Sequence, residues 1–504
     1  MKNYLNIVTY LVAFLVCADA LASVNSAKTY YQRRDYERAA EAFYSAYKSA
    51  PSIKDKRKAE WGLAESLQKI GLYYSSSKYY SLIVRRGKGD QNPFFRSAFE
   101  ELGRINAKIN LGQAHIVQLF KAKVKTSDVP RRARGFYFYY KGIEAFNAKR
   151  YEKASSNFSK VPSISSYYTG SMFYRGVIAN LAGRHSSAIS FFEKVLAATR
   201  SYPYEADIRE MALMNIARIN YEKKRFPQAI SYYGQIPRDS ENWLDALWES
   251  SWAFFFMQKF NNTLGNIHTL HSPFFSNRFY PESYILSAIS YLRLCRYDSV
   301  KESMKSFKTR YSPVFRDIKG LLNSYKGNRQ GLFKLVYDYV YGRSSRFPGA
   351  EEIIRKLSKM DSFKGARDTV RFADRELDIL GRYRRWYSSG LYDEVKGFLN
   401  SKKSAAVSNS GKLMYAEATN FYSYLVDLSG QTKLILAEMQ LGRLAKLRSL
   451  INIKSDNNRV EFIGGLQQLK LNQTLEYWPF EGEYWEDELG FYVYNLDSLC
   501  RAGK

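Results

Sequence analysis

The sequence predicts an all-α protein: a solenoid of helical hairpins, followed by a divergent helical region and an aromatic, acidic C-terminal segment. Three observations lead to this prediction. A spacing of small and aromatic residues recurs, turn-forming residues separate the predicted helices, and the small-residue pattern is lost after the array. The predicted parts are an export signal at 1–22, a hairpin array at 23–315, divergent helices at 316–470 and a terminal segment at 471–504.

The N-terminus has the features of a cleavable export signal. Lys2 precedes an apolar run at 7–16, and a small-x-small stretch at 20–22 follows it. The apolar run is shorter than the ~20 residues that a membrane-spanning helix needs, so we expect cleavage before Ser23 instead of a retained anchor. Cys17 lacks the small preceding residue that is typical of a lipidated cysteine. We expect a periplasmic or envelope-associated protein with no transmembrane span after processing.

The chain is strongly basic, with a formal net charge of +29 that is spread along its length. Clustered Lys and Arg residues bind nucleic acid by releasing counterions from phosphates, but export would remove nucleic acid from reach. The partners left for a basic envelope protein are anionic lipid headgroups, anionic cell-wall polymer and acidic faces of other proteins. The alternative is a charged surface that only keeps a tyrosine-rich chain in solution.

One spacing recurs seven times in the predicted array. A small residue is followed nine positions later by an aromatic residue, three later by a second small residue, and four later by a large apolar residue. The last two units are degenerate. The units are Ala27, Tyr36, Ala39, Phe43; Ala64, Tyr73, Ser76, Tyr80; Gly142, Tyr151, Ala154, Phe158; Gly176, His185, Ala188, Phe192; Ala217, Phe226, Ala229, Tyr233; Ser251, Phe260, Thr263, Ile267; and Ala288, Tyr297, Val300, Met304.

This spacing is typical of two antiparallel helices in close contact. Small residues let the backbones approach, while the aromatic residue at the start of the second helix fills the wedge at the turn. Glycine and lysine lie between the helices, where a helix C-terminus favours them. Proline follows several second helices and prevents their continuation. The turn residues are Gly71, Lys149, Gly183 and Lys224, and the prolines are Pro51, Pro162 and Pro237.

The most complete unit resembles a tetratricopeptide (TPR) repeat. Residues 35–43 read Asp-Tyr-Glu-Arg-Ala-Ala-Glu-Ala-Phe, with Ala46 and Pro51 behind them, and this stretch is similar to the second helix of that repeat. The resemblance covers about 27–311, with a gap at 94–130 where we expect a divergent hairpin. At the second small position of the unit, where the family usually has alanine, three units have Ser76, Thr263 and Val300 instead. The resemblance implies a non-catalytic scaffold that binds proteins.

A narrower resemblance rests on three further stretches. These are Asp245-Ala-Leu-Trp-Glu249 with Trp252-Ala-Phe254, Leu294-Cys-Arg-Tyr297, and the aromatic, acidic run at 477–490. They resemble envelope TPR proteins of gliding and predatory bacteria, some of which are similar to adventurous-gliding-motility components. That resemblance implies a structural part of an envelope or motility assembly.

The TPR resemblance also implies where a partner would bind. In that family the first helices of successive hairpins line a concave groove, and aromatic and Arg side chains dominate binding hot spots. The alternative is that several of these residues, Trp248 and Trp252 above all, pack between helices. The expected groove residues are Phe136, Tyr139, Phe173, Met214, Arg218, Trp248, Trp252 and Phe255.

The region after the array stays helical in pattern. Leucines and one alanine recur at steps of three or four and predict an apolar stripe on a long helix. We expect a helical cap or a set of divergent hairpins that closes the open end of the array, with a coiled-coil seam for a partner as the alternative. The stretches 401–410 and 453–458 are predicted loops. The stripe consists of Leu434, Ala437, Leu441, Leu444, Leu447 and Leu450.

The terminal segment differs in chemistry from the basic chain before it. Acidic and aromatic residues alternate there, so it could pack onto a basic face of the array or be displayed for a partner, and the sequence leaves both open. Cys295 and Cys500 remain after the expected cleavage; in an oxidising compartment they form a disulfide or stay as two buried thiols. The acidic and aromatic residues are Glu476, Tyr477, Trp478, Phe480, Glu481, Glu483, Tyr484, Trp485, Glu486, Asp487, Glu488, Phe491, Tyr492 and Tyr494.

No catalytic constellation is recognisable, so we expect no enzyme and no cofactor. His268 and His271 could share a helix face but have no nearby cysteine, and Glu249 is a remote carboxylate, so no metal site is predicted. His185 occupies the aromatic position of a repeat, and the only other histidine is His115. Two further patterns carry no chemistry: Gly464-Gly465 fits no phosphate loop, and the carboxylates near Glu483 are typical of a solvated face.

Overall fold

The structure is a computed structural model that describes residues 24–109, 111–112, 116, 124–199, 206–456 and 482–500. The expected export signal at 1–22 lies outside these residues, and so do 471–481, His115 and the Gly464-Gly465 pair. Within the described ranges the regular elements are α-helices and short 3-10 turns.

The helices alternate with short turns along the chain. They are α1 (Val24–Gln32), α2 (Tyr36–Ser49), α3 (Ile53–Lys69), α4 (Tyr73–Arg85), α5 (Phe95–Ile109), α6 (Arg134–Asn147), α7 (Tyr151–Phe158), α8 (Tyr168–Leu181), α9 (His185–Thr199), α10 (Ala206–Glu222), α11 (Phe226–Tyr233), α12 (Trp243–Phe256), α13 (Phe260–Leu270), α14 (Glu282–Arg293), α15 (Tyr297–Tyr325), α16 (Arg329–Val340), α17 (Glu351–Lys359), α18 (Asp361–Leu380), α19 (Trp386–Ser389) and α20 (Leu391–Asp456). Short 3-10 turns are Thr126–Asp128, Arg131–Ala133, Pro273–Phe275 and Pro348–Ala350.

The prediction of helical hairpins is confirmed. Each second helix, from α2 to α15, begins at the aromatic residue of its unit. The second small residue of every unit is fully buried, including the three that depart from alanine. The first small position is equally constrained: a Cβ at Gly142 would overlap the Phe158 ring of the facing helix. The small positions are therefore required by helix-to-helix contact. In the gap at 94–130 the structure describes α5, while the chain at 117–123 lies outside the described residues.

The seven hairpin turns share one backbone motif. Two positions before each aromatic residue the chain has a positive φ, and the next N–H bonds the carbonyl five residues back, as from Arg150 to Ala145 at 2.8 Å. This is the Schellman ending of a helix, which favours glycine. The left-handed residues are Arg34, Gly71, Lys149, Gly183, Lys224, Gln258 and Cys295. Only two of them are glycine, so five turns carry the strain of a side chain in this conformation.

Replacing Lys224 by glycine is expected to stabilise the protein. Its φ of +57° disfavours any residue with a Cβ. Relief of that strain, less the entropy of glycine in the unfolded chain, gives a gain of about 0.5–1 kcal/mol. Lys223→Gly is the control, because Lys223 is also exposed and has no positive φ. Urea denaturation of both variants checks this; a gain in Lys223→Gly equal to that in Lys224→Gly would contradict it.

The chain forms two compact units. The first is Met1–Arg209 with Asn328–Tyr341 and Ser358–Tyr415, and the second is Glu210–Gly327 with Gly342–Leu357 and Ala416–Lys504. The expected separate region at 316–470 is thus shared between both units, which corrects the predicted boundary at 315. The helix α15 itself continues through that boundary to Tyr325.

Contacts in the first unit explain why late residues belong to it. The Trp386 side chain is fully buried and donates its Nε1–H to the Glu37 carbonyl at 3.1 Å. Glu376 of α18 accepts hydrogen bonds from the backbone N–H groups of Tyr74 and Ser75 at 2.6 and 3.2 Å. It thereby caps α4, whose own N-cap residue, Leu72, has no polar side chain.

Two expectations about the late helices are corrected. The predicted loop at 401–410 lies inside α20, and so does the described part of the loop predicted at 453–458. The leucine stripe does not pack as a cap. Its members Leu434, Leu441, Leu444 and Leu447 are exposed, because Ile435 and Met439 occupy the buried side of the helix instead. A seam for a partner stays a prediction.

Candidate protein-binding surface

An aromatic stripe on α12 is a partly exposed apolar feature of the second unit's hairpins. One side of α12 buries small and aliphatic residues such as Leu247 and Ser251. Helical periodicity then places Trp248, Trp252 and Phe255 along the other side. We call the set Tyr221, Phe226, Trp248, Trp252, Phe255, Phe256 and Phe260 the aromatic ladder.

The rings of the ladder touch one another in sequence. The Trp248 and Trp252 centroids are 6.0 Å apart, and Trp252 lies 5.8 Å from Phe255. Phe256 stacks on Phe226 of the preceding hairpin at 5.8 Å. Phe256 is nevertheless 54% exposed, and most other rings are half-buried. Ring contacts hold the side chains in place while leaving apolar surface open to a partner.

An ion pair lies beside the ladder. Arg218 of α10 donates two hydrogen bonds to the Glu249 carboxylate, at 2.8 and 2.6 Å, and Tyr233 donates a third at 2.9 Å. Hydrogen bonding to Glu249 raises the pKa of Arg218, while burial and the charge of Glu249 raise the pKa of Tyr233. Because Arg218 and Glu249 are one turn from Tyr221 and Trp252, the surface combines aromatic rings with a fixed charge pair.

The structure divides the expected groove residues between the two units. Arg218, Trp248, Trp252 and Phe255 lie together in the second unit, as described above. Tyr139 and Phe173 lie in the first unit and are half-buried. Tyr139 packs against Tyr140 at 5.2 Å, and Phe173 lies 5.5 Å from Phe192.

Two expected groove residues are core residues, which corrects the prediction at these positions. Phe136 is 4% exposed and Met214 is 5% exposed. Phe136 is buried because it packs edge-on against Phe99 of α5. Met214 lies on the buried side of α10 with Leu213 and Ala217. Neither is accessible to a partner in this structure.

Sequence reasoning missed Phe256, Tyr221 and Glu249 as members of this surface. Phe256 follows Trp252 by four residues, so the helical period already placed both on one side. In the sequence, Glu249 is a carboxylate remote from His268 and His271 and the last residue of the stretch 245–249. Its role as the partner of Arg218 depends on a contact between neighbouring hairpins, which spacing within one helix does not show.

The described part of the terminal segment, residues 482–500, packs on the second helix of the sixth hairpin. Backbone N–H of Tyr494 donates to the Asn261 carbonyl at 3.1 Å. The Asn261 side chain pairs with both backbone groups of Leu496 at 3.2 Å. Gly490 N–H donates to Thr269 Oγ1 at 2.9 Å. These contacts are made with α13, whereas Arg218, Trp248 and Trp252 are carried by the first helices α10 and α12.

His268 is the centre of the packing beneath the terminal segment. Its ring stacks on Tyr484 at 4.7 Å and meets Tyr492 edge-on at 4.8 Å. The Tyr494 hydroxyl and His268 Nδ1 are 3.2 Å apart. Between 491 and 497 alternate residues face inward and outward, with Phe491 exposed on the outer side. The aromatic residues of the segment therefore serve in part as core.

The end of the segment is fixed to the last hairpin turn. Cys295 and Cys500 form a disulfide with Sγ atoms 2.04 Å apart. The Leu499 N–H donates to the Leu294 carbonyl at 2.8 Å, and Arg296 donates to the Asp497 carbonyl. The left-handed turn position that other hairpins fill with glycine or a long polar residue here carries the cysteine.

The two candidate metal-binding histidines have other partners. His271 Nε2 lies 2.7 Å from Ser283 Oγ, and its ring stacks on Tyr284 at 4.0 Å. Among the residues that the structure describes, no group of three or more His, Cys, Asp or Glu side chains is arranged to hold a metal. In the same part of the chain, no helix is both long and apolar enough to span a bilayer.

Acidification is expected to destabilise the second unit through His268. Burial lowers the pKa of this side chain from 6.5 to about 4. Between these values the unfolded chain binds the proton and the folded chain does not, so stability falls as pH decreases from about 6.5 to about 4. One such group changes the free energy of unfolding by at most about 1.4 kcal/mol per pH unit.

Urea midpoints measured at pH 7.5, 5.5 and 4.5 test this expectation. His268→Phe is the comparison, because it keeps a ring against Tyr484 and Tyr492 but cannot titrate. The variant should lose less stability than the parent between pH 7.5 and 4.5. Parallel profiles for both proteins would show that His268 does not carry the effect.

Comparisons with known proteins do not assign the chain to a family. No protein-family model and no curated protein matches the chain. Among solved structures, the chain is similar to the apo form of RapI, with 11% sequence identity and a TM-score of 0.32. The match covers 76% of this chain and 97% of that chain. At this TM-score the match supports no argument about function, and the all-α hairpin fold rests on the elements described above.

Proposed function

We propose that the chain is a non-catalytic scaffold that binds other proteins through the aromatic ladder and the Arg218–Glu249 pair. The observation that supports this proposal most is the continuous run of partly exposed rings from Trp248 to Phe256 on one helix. Contiguous exposed apolar surface marks sites of interaction, and Trp, Tyr and Arg are enriched among the residues that supply most of the binding energy at such sites. Helices hold these side chains more firmly than loops would.

The compartment in the proposal is the periplasm or cell envelope, and the partners are other envelope proteins. Support comes from the export-signal features at 1–22 and from two cysteines that are paired in the structure. N-terminal sequencing of the protein from fractionated cells tests the compartment. Ser23 at the N-terminus in a periplasmic or membrane fraction supports it, and an intact Met1 in the cytoplasm contradicts it.

Ladder variants test the binding proposal. Trp252→Ala and Phe256→Ala are expected to weaken capture of a crosslinked envelope partner by about tenfold or more, since hot-spot truncations cost about 2 kcal/mol. Phe274→Ala is the matched control, because Phe274 is also an aromatic residue of the second unit and is equally exposed at 54%. A partner that is lost equally from all three variants, or retained by all three, does not bind the ladder.

The alternative is a basic module that binds anionic cell-wall polymer or lipid surfaces. The net charge of +29 favours it. Sedimentation with purified envelopes separates the two functions. Binding by dispersed surface charge is screened as salt rises, whereas binding by desolvated aromatic rings persists.

A further inference from the structure

The second unit contains an open cleft between α15 and the later part of α20. Its volume is about 880 Å³. The wall from α15 consists of Met304, Phe307 and Tyr311, and the wall from α20 includes Leu425, Leu436 and Met439. Cavities of about 300–1,000 Å³ with apolar walls are the usual sites for small organic ligands. The interior of this cleft is therefore suited to an apolar molecule or chain.

The mouth of the cleft is basic. Lys301, Lys305 and Lys308 follow one another at steps of four and three on α15, so they lie on one side of that helix. Lys433 faces them from α20. The residues that line the cleft include no aspartate or glutamate. Lys305 pairs with Glu302 at 3.6 Å, but both side chains are largely exposed, so the pair is weak.

Four ammonium groups around an apolar opening repel one another. Their aliphatic stems can lie along the walls while the charges stay at the water boundary. An anion placed among them lowers that repulsion and gains attraction from each lysine. The complementary ligand therefore has one anionic end and one apolar body.

Charge complementarity favours a lipid over a helix of a partner, because a single anionic headgroup beside an acyl chain matches the four lysines and the apolar walls together. We propose that the cleft binds an anionic lipid, with an acyl chain between α15 and α20 and the headgroup among the four lysines. This proposal does not depend on the aromatic ladder.

The exposed leucines of α20 point to a bilayer as the source of that lipid. Leu434, Leu441 and Leu444 continue the apolar surface of α20 beyond the cleft. Exposed basic residues, Lys433 and Arg443, accompany them on the same helix. A helix that presents leucines together with basic residues is typical of peripheral attachment to anionic membranes.

Binding is measured with a dansylated undecanoic acid, whose fluorescence increases in an apolar site, and with laurate and dodecanol as competitors. The full chain should bind the probe, and laurate should displace it better than dodecanol does. The double variant Lys301→Gln with Lys308→Gln should weaken binding by at least about tenfold. The matched control is Lys319→Gln with Lys326→Gln, which removes the same charge from exposed lysines outside the cleft.

A blocking variant tests the acyl-chain position. Ser429 is exposed and lines the cleft, so Ser429→Trp should fill it and abolish probe binding. Ser423 is exposed on the same helix but does not line the cleft, so Ser423→Trp should bind normally. Circular dichroism and thermal melting confirm that each variant is folded. Trp252→Ala should bind the probe as the parent does.

Vesicles distinguish the source of the lipid. A bilayer lipid is indicated if the protein cosediments with phosphatidylglycerol vesicles but not with phosphatidylcholine vesicles. The Lys301 and Lys308 double variant should then lose this cosedimentation. If laurate displaces the probe but the protein does not cosediment with vesicles, the ligand is a free fatty acid. A fatty acid has the same anionic end and apolar chain, so the proposed binding mode stands. The proposal is overturned if neither probe nor anionic vesicles bind, if the two lysine pairs have equal effects, or if only an acidic amphipathic peptide occupies the cleft.

Discussion

Gly265→Ala is expected to detach the terminal segment from α13. A Cβ at this position would lie 1.7 Å from the carbonyl oxygen of Tyr492 and 2.5 Å from its carbonyl carbon. Both atoms are backbone, so no side-chain rotation relieves the clash. The segment must move away and lose the hydrogen bonds that Tyr494 and Leu496 make with Asn261. At about 1 kcal/mol for each bond, the loss of this contact costs about 3 kcal/mol.

The same substitution would stabilise helix α13 itself, since alanine is a better helix former than glycine by about 1 kcal/mol. A net loss of stability must therefore come from the detached terminal segment. Gly430→Ala is the matched control, because Gly430 lies in α20 and a Cβ there has no neighbour within 4 Å. Hydrogen exchange at 490–499 and calorimetry give the readout. Unchanged protection of these amides in Gly265→Ala would refute the described contact.

Ala229→Glu is expected to unfold the fifth hairpin. Ala229 is fully buried where α11 meets its partner helix, so the new carboxylate has neither space nor water. Overpacking and desolvation together cost several kcal/mol, a large share of the ~5–15 kcal/mol that stabilises a typical domain. Thermal melting should show a strongly lowered transition.

Gln228→Glu is the control for this variant. It adds the same charge one position earlier, on an exposed residue of the same helix. Its melting temperature should stay close to that of the parent. If Ala229→Glu melts as Gln228→Glu does, the alignment of the fifth repeat unit is wrong.

The helix starts could be predicted from the sequence because each depends on local geometry. The aromatic residue, the turn before it and the small residue after it all act within about ten residues, so their spacing recurs at Tyr151, Phe226 and Tyr297. The loop predicted at 401–410 was wrong for the opposite reason. Its residues are polar and small, but α20 is held there by distant contacts, such as Gly411 against the backbone of Arg329.

The candidate surface could be predicted only in part. Helical period placed Trp248, Trp252 and Phe255 on one side of α12, and the structure places them together. The burial of Phe136 depends on its contact with Phe99 in another helix, and the position of Arg218 depends on Glu249 across a hairpin boundary. Such pairings join residues more than 30 positions apart, which a repeat pattern leaves undetermined.

The disulfide joins residues that are far apart in the chain. Cys295 and Cys500 are 205 residues apart, whereas each hairpin up to α15 is built from neighbouring helices, so the hairpins can fold before the bond forms. Helical hairpins can do so, because their contacts are local in sequence and form quickly. We therefore expect the bond to secure the terminal segment to hairpins whose own contacts do not require it.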